Sequence, residues 1–282
     1  MIRIDDAALR LIDLALSEDR GSGDWTTRWI VPARARACAT IAAKDTGVIA
    51  GLALASAVFL RLDPRVEFEA AGSDGDRVQP GQIVATIRGP ARAVLTGERT
   101  ALNFLQRLSG IATITRRYVD AVADTRTRIL DTRKTTPAWR ALEKAAVRAG
   151  GGDNHRAGLF DMILIKENHI AVAGGVEEAL RRVHDANTRH LRVEVEIHDL
   201  GDLRAAIAAR VDRVLLDNMS TDKIREAVQL VRKRAPGIEI EASGNMTLER
   251  VRAVAEAGVD FISVGALTHS AAALDLSMRV QD

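Results

Sequence analysis

The residues best suited to chemistry gather in one stretch. From Ile129 to Ile170 the chain reads ILDTRKTTPAWRALEKAAVRAGGGDNHRAGLFDMILIKENHI, which sets Arg133, Lys134, His155, Arg156 and Lys166 after short apolar runs or beyond a triple glycine. Charges on a solvated helix face follow helical spacing and mix their signs. These fall where strands end and backbone turns, as the site residues of α/β enzymes do. Arg matches planar carboxylates through two parallel hydrogen bonds, and His can donate another. The chemistry implied is the capture of a small, multiply anionic substrate.

Each candidate also has a bland reading. Arg133 and Lys134 lie in DTRKTTP, where Thr135 or Thr136 caps a helix with Pro137 in its first turn. That leaves two cations near a helix N-terminus, a cost that a bound anion would offset. The three glycines before His155 and Arg156 could be a simple connection, but their entropy cost points to close backbone approach or positive φ. Lys166 ends the apolar run DMILI, so it either points into a site or snorkels at a rim. A Schiff-base role is open to it. Glu196 and Asp217 end successive strands, as structural partners of the cations or as groups for sugar hydroxyls, a developing sugar cation or Mg²⁺. Glu194 shares the parity of Glu196, and the strand-end position favours Glu196. Ser243-Gly244-Asn245 and Ser263-Val264-Gly265 are weak signals singly; together they suit a phosphate cradle. His184, His190 and His198 have no such setting and read as surface or structural.

The elements that must position these residues come in two rhythms. Up to about residue 110 the pattern is mixed. A helix with a broad apolar face of Ala8, Leu9, Leu11, Ile12, Ala15 and Leu16, capped by Asp5, is followed by β-like runs, a helix over 52–62, more strand-and-turn punctuation and a helix in TGERTALNFLQRLS. Beyond it, strand candidates at 128–130, 161–165, 192–197, 213–217, 238–243 and 261–265 alternate with helical patterns. That alternation predicts a parallel sheet with right-handed crossovers. Nearly every strand delivers a polar or glycine residue at its C-terminal end, and in a barrel those ends meet at one mouth. Six units rather than eight predict an irregular barrel. The domains expected are 1–110 and 111–282, with a C-terminal helix packing back on the first.

Composition narrows the function classes. Forty Lys and Arg against thirty-eight Asp and Glu leave a net charge of +2, a poor fit to nucleic-acid or membrane-surface binding. Cys38 is the single cysteine, so no disulfide framework or cysteine metal cluster is expected. The start, MIRIDDAALRLIDLALSEDR, is amphipathic and acidic, unlike a signal peptide, and no apolar run reaches eighteen residues. A cytoplasmic protein is expected.

With these motifs assembled, the chain resembles the quinolinate phosphoribosyltransferase family. ALSEDRGSGDWTT, GVIAG, GERTALNFLQRLSGIAT, the central stretch above, EVEI, LLDNM, EASGN and GVDFISVGALTHS carry the resemblance nearly end to end. It implies an N-terminal α/β sandwich domain followed by an irregular, open α/β barrel of the type II phosphoribosyltransferase kind, working as a homodimer with shared active sites. It also implies transfer of phosphoribosyl from phosphoribosyl pyrophosphate to quinolinate, with decarboxylation. Arg133, His155, Arg156 and Lys166, with Arg99, would hold the two carboxylates. Lys134, beside the matching Thr132, would lie near the pyrophosphate and the reacting ribose carbon. Glu196 and Asp217 would contact the ribose hydroxyls or Mg²⁺, and Ser243, Gly244, Asn245 and Gly265, with Ser263 and Val264 beside it, would receive the 5′-phosphate. Asn245 stands where many relatives carry a second glycine. The rival readings are a related phosphoribosyltransferase on nicotinate or associated with molybdate transport, a barrel aldolase or isomerase using Lys166, and an Arg-rich nucleic-acid binder.

Overall fold

A computed structural model describes residues 4–281, and the chain divides into two compact units. The first gathers the residues up to Arg116, the segment Thr136–Gly151 and the stretch from Ser270 onward; the second comprises Arg117–Thr135 and Gly152–His269. The cut expected near residue 110 therefore falls inside one 31-residue helix, Ala91–Ala121, and two later segments group with the first unit. Residues 1–3, the first of the stretch read above as unlike a signal peptide, lie outside the described residues. Among the described residues no helix is long and apolar enough to cross a membrane.

The first unit is built on a four-stranded antiparallel sheet in the order Leu276–Val280, Arg36–Ala43, Ile83–Pro90, Glu67–Ala70. Its helices include Asp6–Arg20 and Leu52–Leu62. The first is capped as expected, the Ala8 backbone N–H donating to Asp5 Oδ1 at 2.9 Å, and it buries Ala8, Ile12 and Leu16 at helical spacing. The last described element is a strand rather than the helix expected there. Leu276 and Met278 are buried while Ser277 and Arg279 alternate with them, a period of two that suits pairing with Arg36–Ala43.

The second unit is a parallel sheet of six strands, ordered Arg128–Leu130, Phe261–Ser263, Glu239–Ser243, Arg213–Asp217, Val193–Ile197, Ile163–Ile165. All six lie within the spans expected. The first two in chain order form the sheet's two edges, so the sheet is open between them. Laid flat, six strands would separate those edges by about 24 Å. Residues following both edge strands nevertheless line one cavity, so the sheet curls into an open barrel with its strand C-termini around a single mouth. Part of the opening is filled by the chain itself: Asp153 runs parallel to Leu130, exchanging backbone hydrogen bonds with Ile129 and Asp131.

Register decides what fills the barrel. Glu194 pairs with Arg213, Arg213 with Glu239, and Glu241 with Phe261, on the parity that also carries Leu164, Glu196, Asp217 and Ser243. The floor is therefore charged rather than aliphatic. Arg213 donates to Glu241 Oε2 at 3.0 Å and to Glu239 Oε2 at 2.8 Å, and its guanidinium lies 4.1 Å from the Phe261 ring centroid. Pairing of this kind compensates the burial of Arg213, whereas neither oxygen of the buried Glu194 completes a hydrogen bond.

Candidate active site

The mouth of the barrel encloses a cavity of about 630 Å³, a size suited to a nucleotide-scale ligand. Thr132, Arg133 and Lys134 enter it from the end of the first strand, and Lys166, Glu196 and Asp217 from the next three. Ser243, Gly244 and Asn245 follow the fifth, and Ser263, Val264 and Gly265 the sixth; His155 and Arg156 arrive on the segment beside the first strand. The fold thus brings every candidate except Arg99 to one cavity. Arg99 belongs to the first unit, exposed on the helix that begins at Ala91. It sits well inside that helix rather than at its start, so a terminal dipole does not bear on it.

The loop after the first strand is held by its own backbone. The Lys134 N–H donates to Thr132 Oγ1 at 3.0 Å, and the Thr268 hydroxyl donates to the Lys134 carbonyl at 2.7 Å. The following helix starts at Arg140 and not at Pro137, with no side-chain cap from either threonine. Thr136 is bound instead by Glu143, which accepts from its N–H at 3.1 Å and its hydroxyl at 2.8 Å. Ala138, at φ 65°, breaks the helical path before Trp139. Arg133 and Lys134 therefore lie further from a helix N-terminus than their spacing suggested, and the like charge that Arg133 meets is Arg156.

Arg156 shows that crowding directly. Burial, followed by the nearby Arg133, lowers its affinity for a proton, and its Nη1 donates to the Met162 carbonyl at 3.2 Å. Two like charges within Coulombic range at one cavity favour an anion between them. The segment just ahead of Arg156 is clamped by the fully buried Asp131. The His155 N–H donates to Asp131 Oδ1 at 2.9 Å, and the Asn154 amide donates to its other oxygen. The glycines ahead of this segment have the reasons anticipated: Gly151 sits at φ 88°, and a side chain on Gly150 would meet the Ala112 carbonyl at 2.5 Å.

Across the mouth, Asp217 accepts a hydrogen bond from the Asn218 amide at 2.6 Å. Glu196 is nearly buried, 3.8 Å from His198 Nε2, so His198 has a site neighbour that its sequence setting did not reveal. Both carboxylates are hard oxygen donors at strand ends, the type that holds Mg²⁺ together with substrate phosphates. The turn Ser243-Gly244-Asn245 lies against Asn218, with Asn218 and Asn245 both left-handed at φ 52° and 47°. Arg250 anchors it from behind by donating to the carbonyls of Gly244 and Met219. The helix Leu248–Glu256 starts just beyond, with Met246 and Thr247 on the cavity wall.

Sequence reasoning did not single out Asn218, Glu241 or His269, all of which line the cavity. Glu241 had a signal, since it precedes Ser243 by two and shares its face of the strand. Below the mouth it meets Glu194. Burial, and then the Glu194 carboxylate, push Glu241 up to about 7; burial likewise pushes Glu194 up to about 7 against the pull of Arg213. His155 Nε2 lies 3.0 Å from Glu194 Oε2 and 3.5 Å from Glu241 Oε2.

Together the fold and the cavity define a barrel enzyme for a phosphorylated, multiply anionic substrate. Two profiles match the chain: the quinolinate phosphoribosyl transferase N-terminal domain over residues 24–109 and the C-terminal domain over residues 111–279. The chain is 47% identical, over 94% of its length and 90% of the relative's, to a probable nicotinate-nucleotide pyrophosphorylase [carboxylating] of a Synechocystis species. A Bacillus subtilis protein of the same description is 45% identical, over 96% of this chain and 92% of its own. The solved nicotinate-nucleotide pyrophosphorylase of Francisella tularensis superposes with a TM-score of 0.94 at 40% identity, covering 99% of this chain and 98% of that one. The chain belongs to the quinolinate phosphoribosyltransferase family. That membership favours the phosphoribosyl-transfer reading over an aldolase or a nucleic-acid binder.

Proposed function

We propose that the protein transfers the phosphoribosyl group of phosphoribosyl pyrophosphate to quinolinate, yielding nicotinate mononucleotide, pyrophosphate and CO₂ for NAD biosynthesis in the cytoplasm. The observation that carries this reading is one cavity uniting four cations, two strand-end carboxylates and two glycine-bearing loops. Arg133, Arg156 and Lys166 hold the two carboxylates of the pyridine, with His155 at the base of the group. Lys134 faces the departing pyrophosphate. The 5′-phosphate rests on Ser243, Gly244 and Asn245 and on Ser263, Val264 and Gly265.

The bond from the anomeric carbon to pyrophosphate breaks as the ring nitrogen closes on that carbon. Glu196 and Asp217 stabilise the positive charge that develops on the ribose, while the cations hold both anions in place. The ring, now carrying a quaternary nitrogen, releases the adjacent carboxylate as CO₂; the electron pair left on the carbon is stabilised by that nitrogen and takes a proton from water. Mg²⁺, held by Glu196 and Asp217, would neutralise charge on the pyrophosphate. No covalent enzyme intermediate is needed. Two copies form a homodimer in which Arg99 of one reaches the site of the other; its exposed place on a long helix leaves it available for that.

The test is formation of nicotinate mononucleotide from quinolinate, phosphoribosyl pyrophosphate and Mg²⁺, with each omitted in turn. No product from the complete mixture would overturn the reading.

A further inference from the structure

His155 carries the expectation of a carboxylate ligand, yet both of its ring nitrogens face groups inside the protein. Nδ1 accepts the Arg156 backbone N–H at 2.7 Å. Nε2 is 3.0 Å from Glu194 Oε2 and 3.5 Å from Glu241 Oε2, both on fully buried side chains, an ion-pair approach in which Glu194 Oε2 completes no hydrogen bond. The His155 side chain itself is only 7% exposed. An imidazole has no third hydrogen-bonding position. A substrate carboxylate that took Nε2 would also have to settle beside two glutamates, with Arg213 on the barrel floor already bound to Glu241.

We propose that His155 is a positioning residue rather than a substrate ligand: the buried carboxylates of Glu194 and Glu241 hold the Nε2 edge of its ring by electrostatic attraction, and the ring fixes the Arg156 backbone through a hydrogen bond at Nδ1. This rests on the proposed quinolinate site. Asp131 supports the same backbone one residue earlier, through the His155 N–H. The segment before Arg156 is thus held from both sides, by a carboxylate at the strand end and by an imidazole over the barrel floor. Arg156, lowered in proton affinity by burial and by Arg133, is the group left facing the cavity. Such a shell around a guanidinium sets its angle to a planar carboxylate, where small errors cost binding.

Three substitutions separate the two roles. In His155→Asn the side-chain carbonyl stands where Nδ1 stood and can accept the Arg156 N–H. In His155→Gln the amide reaches where Nε2 stood, and the Nδ1 acceptor is lost. His155→Ala removes both. If His155 positions Arg156, the quinolinate KM rises least in His155→Asn, with His155→Gln and His155→Ala worse by about tenfold, the scale of one hydrogen bond. The KM for phosphoribosyl pyrophosphate shifts less than the quinolinate KM throughout the series. A direct Nε2 contact reverses the order, with Gln better than Asn, and overturns the inference; so does an equal effect of all three.

Glu241→Gln supplies a second reading should the His155 variants fold poorly. It loosens the hold on Nε2 without touching Nδ1, so the quinolinate KM rises a few-fold; an equal rise in both KM values overturns the inference. Wild-type turnover in the same assay keeps the two hypotheses apart. If the wild type does not use quinolinate, the proposed function fails before the role of His155 is at issue.

Discussion

Replacing Gly244 by Ala tests the phosphate cradle at its tightest point. Gly244 sits at φ 88°, where a Cβ meets its own carbonyl, at a cost of roughly 1–2 kcal/mol. The added methyl would fall on the Asn218 side-chain oxygen and 2.8 Å from the Asn218 backbone nitrogen. The side chain can rotate away, but doing so breaks its contact with Asn245 and its bond to Asp217. The backbone cannot, because the Asn218 N–H is donated to the Ser243 carbonyl at 3.1 Å. Overpacking of this kind costs about 1–3 kcal/mol, so the total is about 2–5 kcal/mol. Thermal unfolding should show a fall of roughly 5–15 °C. Steady-state kinetics at 25 °C should show the KM for phosphoribosyl pyrophosphate raised at least about tenfold, because both the turn and the Asp217 partner move. Gly237, with open space around the same construction, supplies the control: Gly237→Ala should leave both quantities nearly unchanged. A Gly244→Ala protein with wild-type melting and wild-type KM would refute both the steric argument and the placing of phosphate there.

Nicotinate should be a very poor substrate, because loss of the carboxylate beside the ring nitrogen leaves part of the Arg133, Arg156 and Lys166 charge unpaired; comparable turnover of the two acids would argue for a different base. Arg156→Ala should weaken quinolinate binding by calorimetry with phosphoribosyl pyrophosphate affinity little changed, and the reverse pattern would sink the assignment. Mixing inactive Arg99→Ala and Lys134→Ala proteins under subunit exchange should restore activity through one intact site per mixed dimer; mixed dimers that form and stay inactive would remove the shared-site proposal. Finally, Glu241 is raised from 4.5 to about 7 in the folded chain, so the folded state holds this proton more tightly than the unfolded one. Its contribution lowers stability as pH rises from about 4.5 to about 7, by at most about 3 kcal/mol, and the penalty is complete above that. Glu241→Gln, which keeps an acceptor for Arg213, should therefore gain stability relative to wild type between pH 5 and pH 8 in denaturant titrations, and a constant difference across that range would count against it.

Much of the architecture was legible along the chain, because local rules produced it. Short apolar runs alternating with helical periods encode parallel strands and crossovers, and a polar residue after each run encodes what stands at the strand ends. The shared face of Glu194 and Glu196 was equally visible, since side chains on a strand alternate with period two. Their fates were not. Register across the sheet sets Glu194 level with Arg213, in the charged floor, and Glu196 level with Leu215, at the mouth. That register depends on partners far away in sequence. The same holds for Glu241 facing His155, for the alternating C-terminal segment that becomes a strand only because Arg36–Ala43 offers an edge, and for a helix delayed to Arg140 while Glu143 reaches back to Thr136. His155 shows the division most plainly. Its residue type and its place after three glycines mark it for a site by sequence alone, but where its two nitrogens point was decided by a backbone N–H on one side and two glutamates from other strands on the other. Hydrogen-bond direction is a property of the assembled pocket, because the chain brings those acceptors together only when the sheet curls.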